Sequence, residues 1–158
     1  MPRYVAPANS GGAAAIVDDS GSPAFASGIT AQEIQDLIDV PEVFIISLSD
    51  ETSDLTTGTS KATFHMPFAM TLSSVKATVN TAPAGATITV DINEAGATIL
   101  STKLTIDAGE KTSTTAATAA VISDSALAND AELTFDIDQV GSSTAGKGLK
   151  VTLVGIRT

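Results

Sequence analysis

Ser74-Val-Lys-Ala-Thr-Val-Asn80, the turn Thr81-Ala-Pro-Ala-Gly85 and Ala86-Thr-Ile-Thr-Val-Asp-Ile-Asn93 form the stretch whose reading decides the fold. In its first half Val75, Ala77 and Val79 alternate with Ser74, Lys76, Thr78 and Asn80. In its second half Ala86, Ile88, Val90 and Ile92 alternate with Thr87, Thr89, Asp91 and Asn93. A period of two places successive side chains on opposite faces of a pleated strand, so each half reads as a strand with one buried face. Pro83 and Gly85 between the halves, and Gly96 after the second, are the residues that tight turns require.

The same pattern extends in both directions. Downstream, Leu100, Thr102, Leu104 and Ile106 share one face, and Ala108-Gly-Glu110 turns the chain toward a Thr-rich strand around 112–121. Ser123 to Asp130 reads as a polar loop with one helical turn. Leu133, Phe135 and Ile137 then oppose Thr134, Asp136 and Asp138, Gly141 to Gly148 forms a long loop, and Leu149 to Ile156 is a largely apolar last strand. Upstream, Ala62-Thr-Phe-His-Met66 is a strand stopped by Pro67, Asp50 to Ser60 is a loop, and Val43-Phe-Ile-Ile-Ser-Leu48 is apolar on both faces. About eight strands at this spacing imply an all-β chain, an antiparallel β-sandwich or jelly roll over 42–158.

Residues 1–41 read differently. Pro2, Pro7, Gly11, Gly12, Gly21, Pro23 and Gly28 interrupt any periodicity, and the expectation is an extended N-terminal arm with Tyr4, Val5, Ile16, Val17 and Phe25 as spaced apolar anchors. Thr30-Ala-Gln-Glu33 fits a capping box opening a short helix over 30–39, which puts Ile34, Leu37 and Ile38 on one face before Pro41. These residues, with Phe44 and Ile46 from the doubly apolar strand, are the expected interface. No start resembling an export signal and no membrane-length apolar run is read here.

Composition narrows the function classes. The chain has 158 residues, no cysteine and one histidine, and eight basic against eighteen acidic residues give a net charge of −10. Such a charge repels nucleic-acid phosphates and anionic membranes, and neither is an expected partner. Without cysteine there is neither a disulfide nor a thiolate metal site.

Candidate chemistry fails on detail. Gly141-Ser-Ser-Thr-Ala-Gly-Lys-Gly148 satisfies G-x-x-x-x-G-K but has Gly148 where a phosphate loop needs Ser or Thr, and a strand rather than a helix follows. Asp91-Ile-Asn-Glu-Ala-Gly96 opens like a calcium loop, yet Ala95 and Thr102 occupy ligand positions, so it reads as a hairpin turn. Asp124, Asn129, Asp130 and Glu132 form an oxygen-rich loop. His65 has no second histidine for a metal and no activated serine for a triad, and is expected beside Pro67 or at an interface. Asp136 and Asp138 share a strand face and read as solvated. No catalytic residue, cofactor or metal is expected.

Phe64-His-Met-Pro-Phe68, Thr81-Ala-Pro-Ala-Gly85, Val90-Asp-Ile-Asn93 with Gly96 and Ile99-Leu100, Leu104 to Ser113, and Ile137-Asp-Gln-Val-Gly141 with Gly146-Lys-Gly-Leu149 carry a resemblance. In that order, across 64–156, the chain resembles a β-sandwich module of small virion proteins of tailed bacteriophages, including cyanophage and marine-phage proteins. The resemblance implies a non-enzymatic, often oligomeric virion component. The leading expectation is a capsid decoration (cement) protein, a homo-oligomer with a trimer favoured. It would be made in the host cytoplasm and bound to the major capsid protein on the head surface through the arm. Fully extended, residues 1–28 reach about 90 Å. The alternative is a tail-fibre or spike module that binds a receptor glycan through loops 81–85, 123–130 and 141–148.

Overall fold

A computed structural model describes residues 40–158. The chain divides into two units between Val40 and Pro41, and the second is the domain described below. Its strands are β1 (Pro41–Ser47), β2 (Gly58–His65), β3 (Met70–Thr78), β4 (Ile88–Glu94), β5 (Ala97–Thr98), β6 (Leu100–Thr102), β7 (Leu104–Ile106), β8 (Val121–Ile122), β9 (Ala126–Leu127), β10 (Glu132–Gln139) and β11 (Lys150–Arg157). The expected arm and the helix over 30–39 lie outside the described residues.

The domain is an all-β antiparallel sandwich. One sheet has the order β1-β11-β3-β9; the other has β2-β10-β4-β5, with β7 also paired to β4. Setting aside the short β5, β6 and β8, the remaining strands pair first with last: β1 with β11, β2 with β10, β3 with β9 and β4 with β7. This is one long hairpin rolled on itself, closed by the β11–β3 and β10–β4 pairings, and it is the connectivity of a jelly roll.

The core lies between the two inner faces. Ile88, Val90 and Ile92 of β4, Leu133, Phe135 and Ile137 of β10, and Val151 and Leu153 of β11 are all buried. Burying so many aliphatic side chains, each contributing about 1.5–3 kcal/mol of transfer free energy, offsets the shortage of aromatic residues. Among the described residues, three of the four aromatic side chains cluster together. Phe44 of β1 packs against Phe64 of β2 with ring centroids 5.3 Å apart and against Phe68 at 5.7 Å, and the Arg157 guanidinium covers Phe68 at 4.5 Å.

β3 contains the most informative irregularity. Met70 and Leu72 are buried at even positions, whereas Val75 and the buried Ala77 face inward at odd positions. The register against β11 shifts between Ser74↔Val154 and Leu72↔Gly155, so Ser73 is an extra residue that reverses the alternation, and its hydroxyl donates to the Val154 carbonyl at 3.1 Å.

Three sequence expectations are corrected. The Thr-rich segment around 112–121 is not a continuous strand: Thr112 is extended and bridges to Thr78, its side chain caps a 3-10 turn over Ser113–Thr115, and a short strand follows at Val121–Ile122. The Ser113 hydroxyl accepts from the Ala77 amide at 2.9 Å, beside a single Thr78↔Thr112 bridge, so one side chain and one bridge serve that margin of β3 in place of a ladder. The loop over 123–130 contains no helical turn; its Ala126–Leu127 pairs with Thr71 and Met70. Leu100 to Ile106 is two strands, one joined to β8 and one to β4, with Lys103 at the break.

Candidate assembly surface

β1 joins β11 on one side and, among the described residues, nothing on the other. The phase of its alternation is set by Leu48, which is buried and donates its amide to the Leu149 carbonyl at 2.9 Å. Counting back by two, Ile46 and Phe44 face inward and pack against the core, while Ile45 and Val43 face outward, 66% and 55% exposed. Of the expected interface residues, Phe44 and Ile46 therefore close the sandwich, and the outward apolar pair is Val43 and Ile45. Tyr4, Val5, Ile16, Val17, Phe25, Ile34, Leu37 and Ile38 lie outside the described residues.

The register extends the outward pair into a stripe. Val43 sits opposite Val154, Pro41 opposite Ile156 and Ile45 opposite Thr152, and Val154 and Ile156 are half-buried on the same outer face. Val40, 61% exposed, precedes the strand. An apolar patch on the margin of a sheet is the usual mark of an association surface.

The polar groups singled out by sequence are engaged in the fold. Lys147 donates from Nζ to the Thr52 carbonyl at 2.9 Å and pairs with Asp54 at 3.4 Å. Thr81↔Lys147 and Ala84↔Thr144 bridges hold its loop against 81–85. Loop 123–130 lies elsewhere: Ser125 and Leu127 meet the start of β3 and Ala128 meets Glu94 at the end of β4, the ends of those strands away from 81–85. The three loops of the glycan-binding alternative thus do not form one surface.

Asp136 and Asp138 are not merely solvated. Asp136 accepts the Ser60 amide at 2.7 Å where β2 bulges, and the Asn93 side chain at 3.1 Å. Asp138 accepts from Lys103 at 2.6 Å, and Lys103 also reaches the buried Asp91 at 2.9 Å, whose second oxygen accepts from Thr98 at 2.6 Å and the Ile92 amide at 2.9 Å. The hydrogen bonds from Lys103 to Asp138, then Asp91, hold its ammonium well above the ordinary lysine value. Asp91 and Asp136 face each other across β4 and β10, and this cation with its neighbouring donors offsets the repulsion between like charges placed opposite.

His65 is exposed between Asp130 at 3.6 Å and Glu132 at 3.5 Å. Asp50 turns the chain after β1 by accepting the Ser53 and Thr52 amides at 2.6 and 2.7 Å, which drives its carboxyl far below the usual carboxylate range. Glu51 is held low by Lys150 and Asn80. Among the described residues, no three His, Asp or Glu side chains are arranged to hold a metal ion, no helix is long and apolar enough to cross a membrane, and no buried side-chain polar atom lacks a partner.

Comparison of the chain with protein-family models, curated proteins and solved structures returned no match.

Proposed function

We propose that this protein is a virion structural module of the decoration type. In this reading the jelly roll sits on the outside of a phage head as an oligomer, and residues 1–28 run between neighbouring copies of the major capsid protein. The observation that carries the reading is the exposed apolar pair Val43 and Ile45 on the margin of β1 that no described strand covers. A surface of that kind serves adhesion rather than turnover.

Imaging of virions that carry the protein tests it. Density in many copies over the head, lost when residues 1–28 are deleted, is the expected result. Density confined to the tail tip, or attachment to host cells blocked by soluble sugar, overturns it in favour of receptor binding. The deletion removes no strand of the domain, since β1 begins at Pro41.

A further inference from the structure

The sheet margins are not equivalent. β9 has two residues, β5 two and β7 three, too short to template another strand. β2 is interrupted between Ala62 and Gly58 by a bulge in which Ser60 adopts the left-handed conformation at φ 48°, and it carries Lys61 and His65. These are the devices by which β proteins prevent sheets from joining edge to edge. β1 is less protected: it has seven residues, an unbroken register and no lysine, with Pro41 and Glu42 confined to its first two positions.

The Leu48 amide points to β11, so by the period of two Ile46, Phe44 and Glu42 direct their amides and carbonyls to β11. Val43, Ile45 and Ser47 direct theirs to the open side. Pro41, which has no N–H, also falls on the open side, at the strand's first position, where proline is tolerated.

From these observations we infer that the open side of β1 is a strand-addition site for β1 of a second copy, related by a two-fold axis through Phe44. In this register Val43 pairs with Ile45 of the other copy and exchanges both hydrogen bonds with it, and Ser47 donates to the Pro41 carbonyl. Glu42 lies opposite Ile46, not a second Glu42, so the one charge of the strand meets no like charge across the axis. The outward Val43 and Ile45 of the two copies merge into one apolar stripe, and the four-stranded sheets join into one continuous sheet. The inference does not depend on the virion reading.

Sedimentation equilibrium of the full chain at micromolar concentration tests it, with twice the 15.9 kDa chain mass expected. Val43→Pro removes a donor from the open side alone, and Ile45→Lys places a charge on the stripe at an exposed position that leaves the core intact. Both should sediment as single chains with unchanged far-ultraviolet circular dichroism. If Val43→Pro fails to fold, Ile45→Lys alone decides. A monomeric parent chain, or an assembly of any size that persists in Ile45→Lys, overturns the inference. The register has its own test, because the chain has no cysteine. A mixture of Val43→Cys and Ile45→Cys chains should form an intermolecular disulfide faster than either alone; equal rates overturn the two-fold pairing.

Discussion

Ala95 and Gly96 form the two-residue turn between β4 and β5, both at positive φ, 49° and 83°. Glycine adopts that conformation freely, whereas alanine is strained there and asparagine tolerates it better. Ala95→Asn should therefore stabilise the domain by about 0.5–1 kcal/mol, seen as a raised urea midpoint at unchanged slope. Lys103 sits at the opposite extreme. Asp91 is only 6% exposed, and Lys103→Ala leaves its carboxylate with the Thr98 hydroxyl and one amide. A loss of about 2 kcal/mol is expected in the same experiment, less than for a fully buried pair because the lysine itself is partly solvated. Because the lysine's folded value is raised, its contribution is fully present below its ordinary value near pH ~10.4 and is lost only as pH rises through the higher folded value.

At the scale of the element, the bulge in β3 explains an otherwise unexpected glycine in β11. Gly155 lies opposite Leu72 beside the extra Ser73. A Cβ there would collide with the Thr71 carbonyl oxygen and stand 3.0 Å from the Leu72 Cα, both backbone atoms that cannot move aside without breaking the ladder. Gly155→Ala should cost about 3 kcal/mol by chemical denaturation, comparable to a poorly accommodated core substitution. A cost under about 0.5 kcal/mol, the range of an ordinary surface change, would show that the bulge relaxes freely. Deleting Ser73 would give β3 strict alternation and a continuous register with β11 while Met70 and Leu72 stay on the inner face opposite the same partners, so the deletion should shift the urea midpoint and leave the transition cooperative.

For the domain as a whole, acid sensitivity is expected at the end of the sandwich where Asp50 and Glu51 follow β1. Both carboxyls are depressed in the folded state, Asp50 by the Ser53 and Thr52 amides and Glu51 by Lys150 and Asn80. A group depressed on folding contributes stability above its unfolded value and loses it as pH falls through the folded value, so this contribution should fade below about pH 4. Asp50→Ala should flatten the dependence of the urea midpoint on pH between about 4 and 2 relative to the parent chain. A parallel curve would place the acid sensitivity elsewhere. The closed hairpin topology also makes most pairings distant in sequence, so folding is expected to take milliseconds to seconds in stopped-flow refolding.

Alternation of apolar and polar residues, together with Pro and Gly at the turns, was enough to determine β4, β10, β11 and the part of β3 from Ser74 on as strands, because a period of two is a local property of the chain, whereas Met70–Ser73 escaped it where the bulge reverses the parity. It was enough for the sandwich class as well. The short strands and the 112–120 segment were not legible, since their course is decided by which neighbour needs a partner: Ser113 serves β3, and Lys103 divides β6 from β7 to reach Asp91 and Asp138. The assembly surface was half legible. Four consecutive apolar residues, Val43 to Ile46, marked β1 as unusual but carried no phase, because either alternate pair could face the core. Only the pairing with β11 and the burial of Leu48 decided that Phe44 and Ile46 turn inward and that Val43 and Ile45 meet the solvent, since the facing of a doubly apolar strand depends on neighbours far away in sequence.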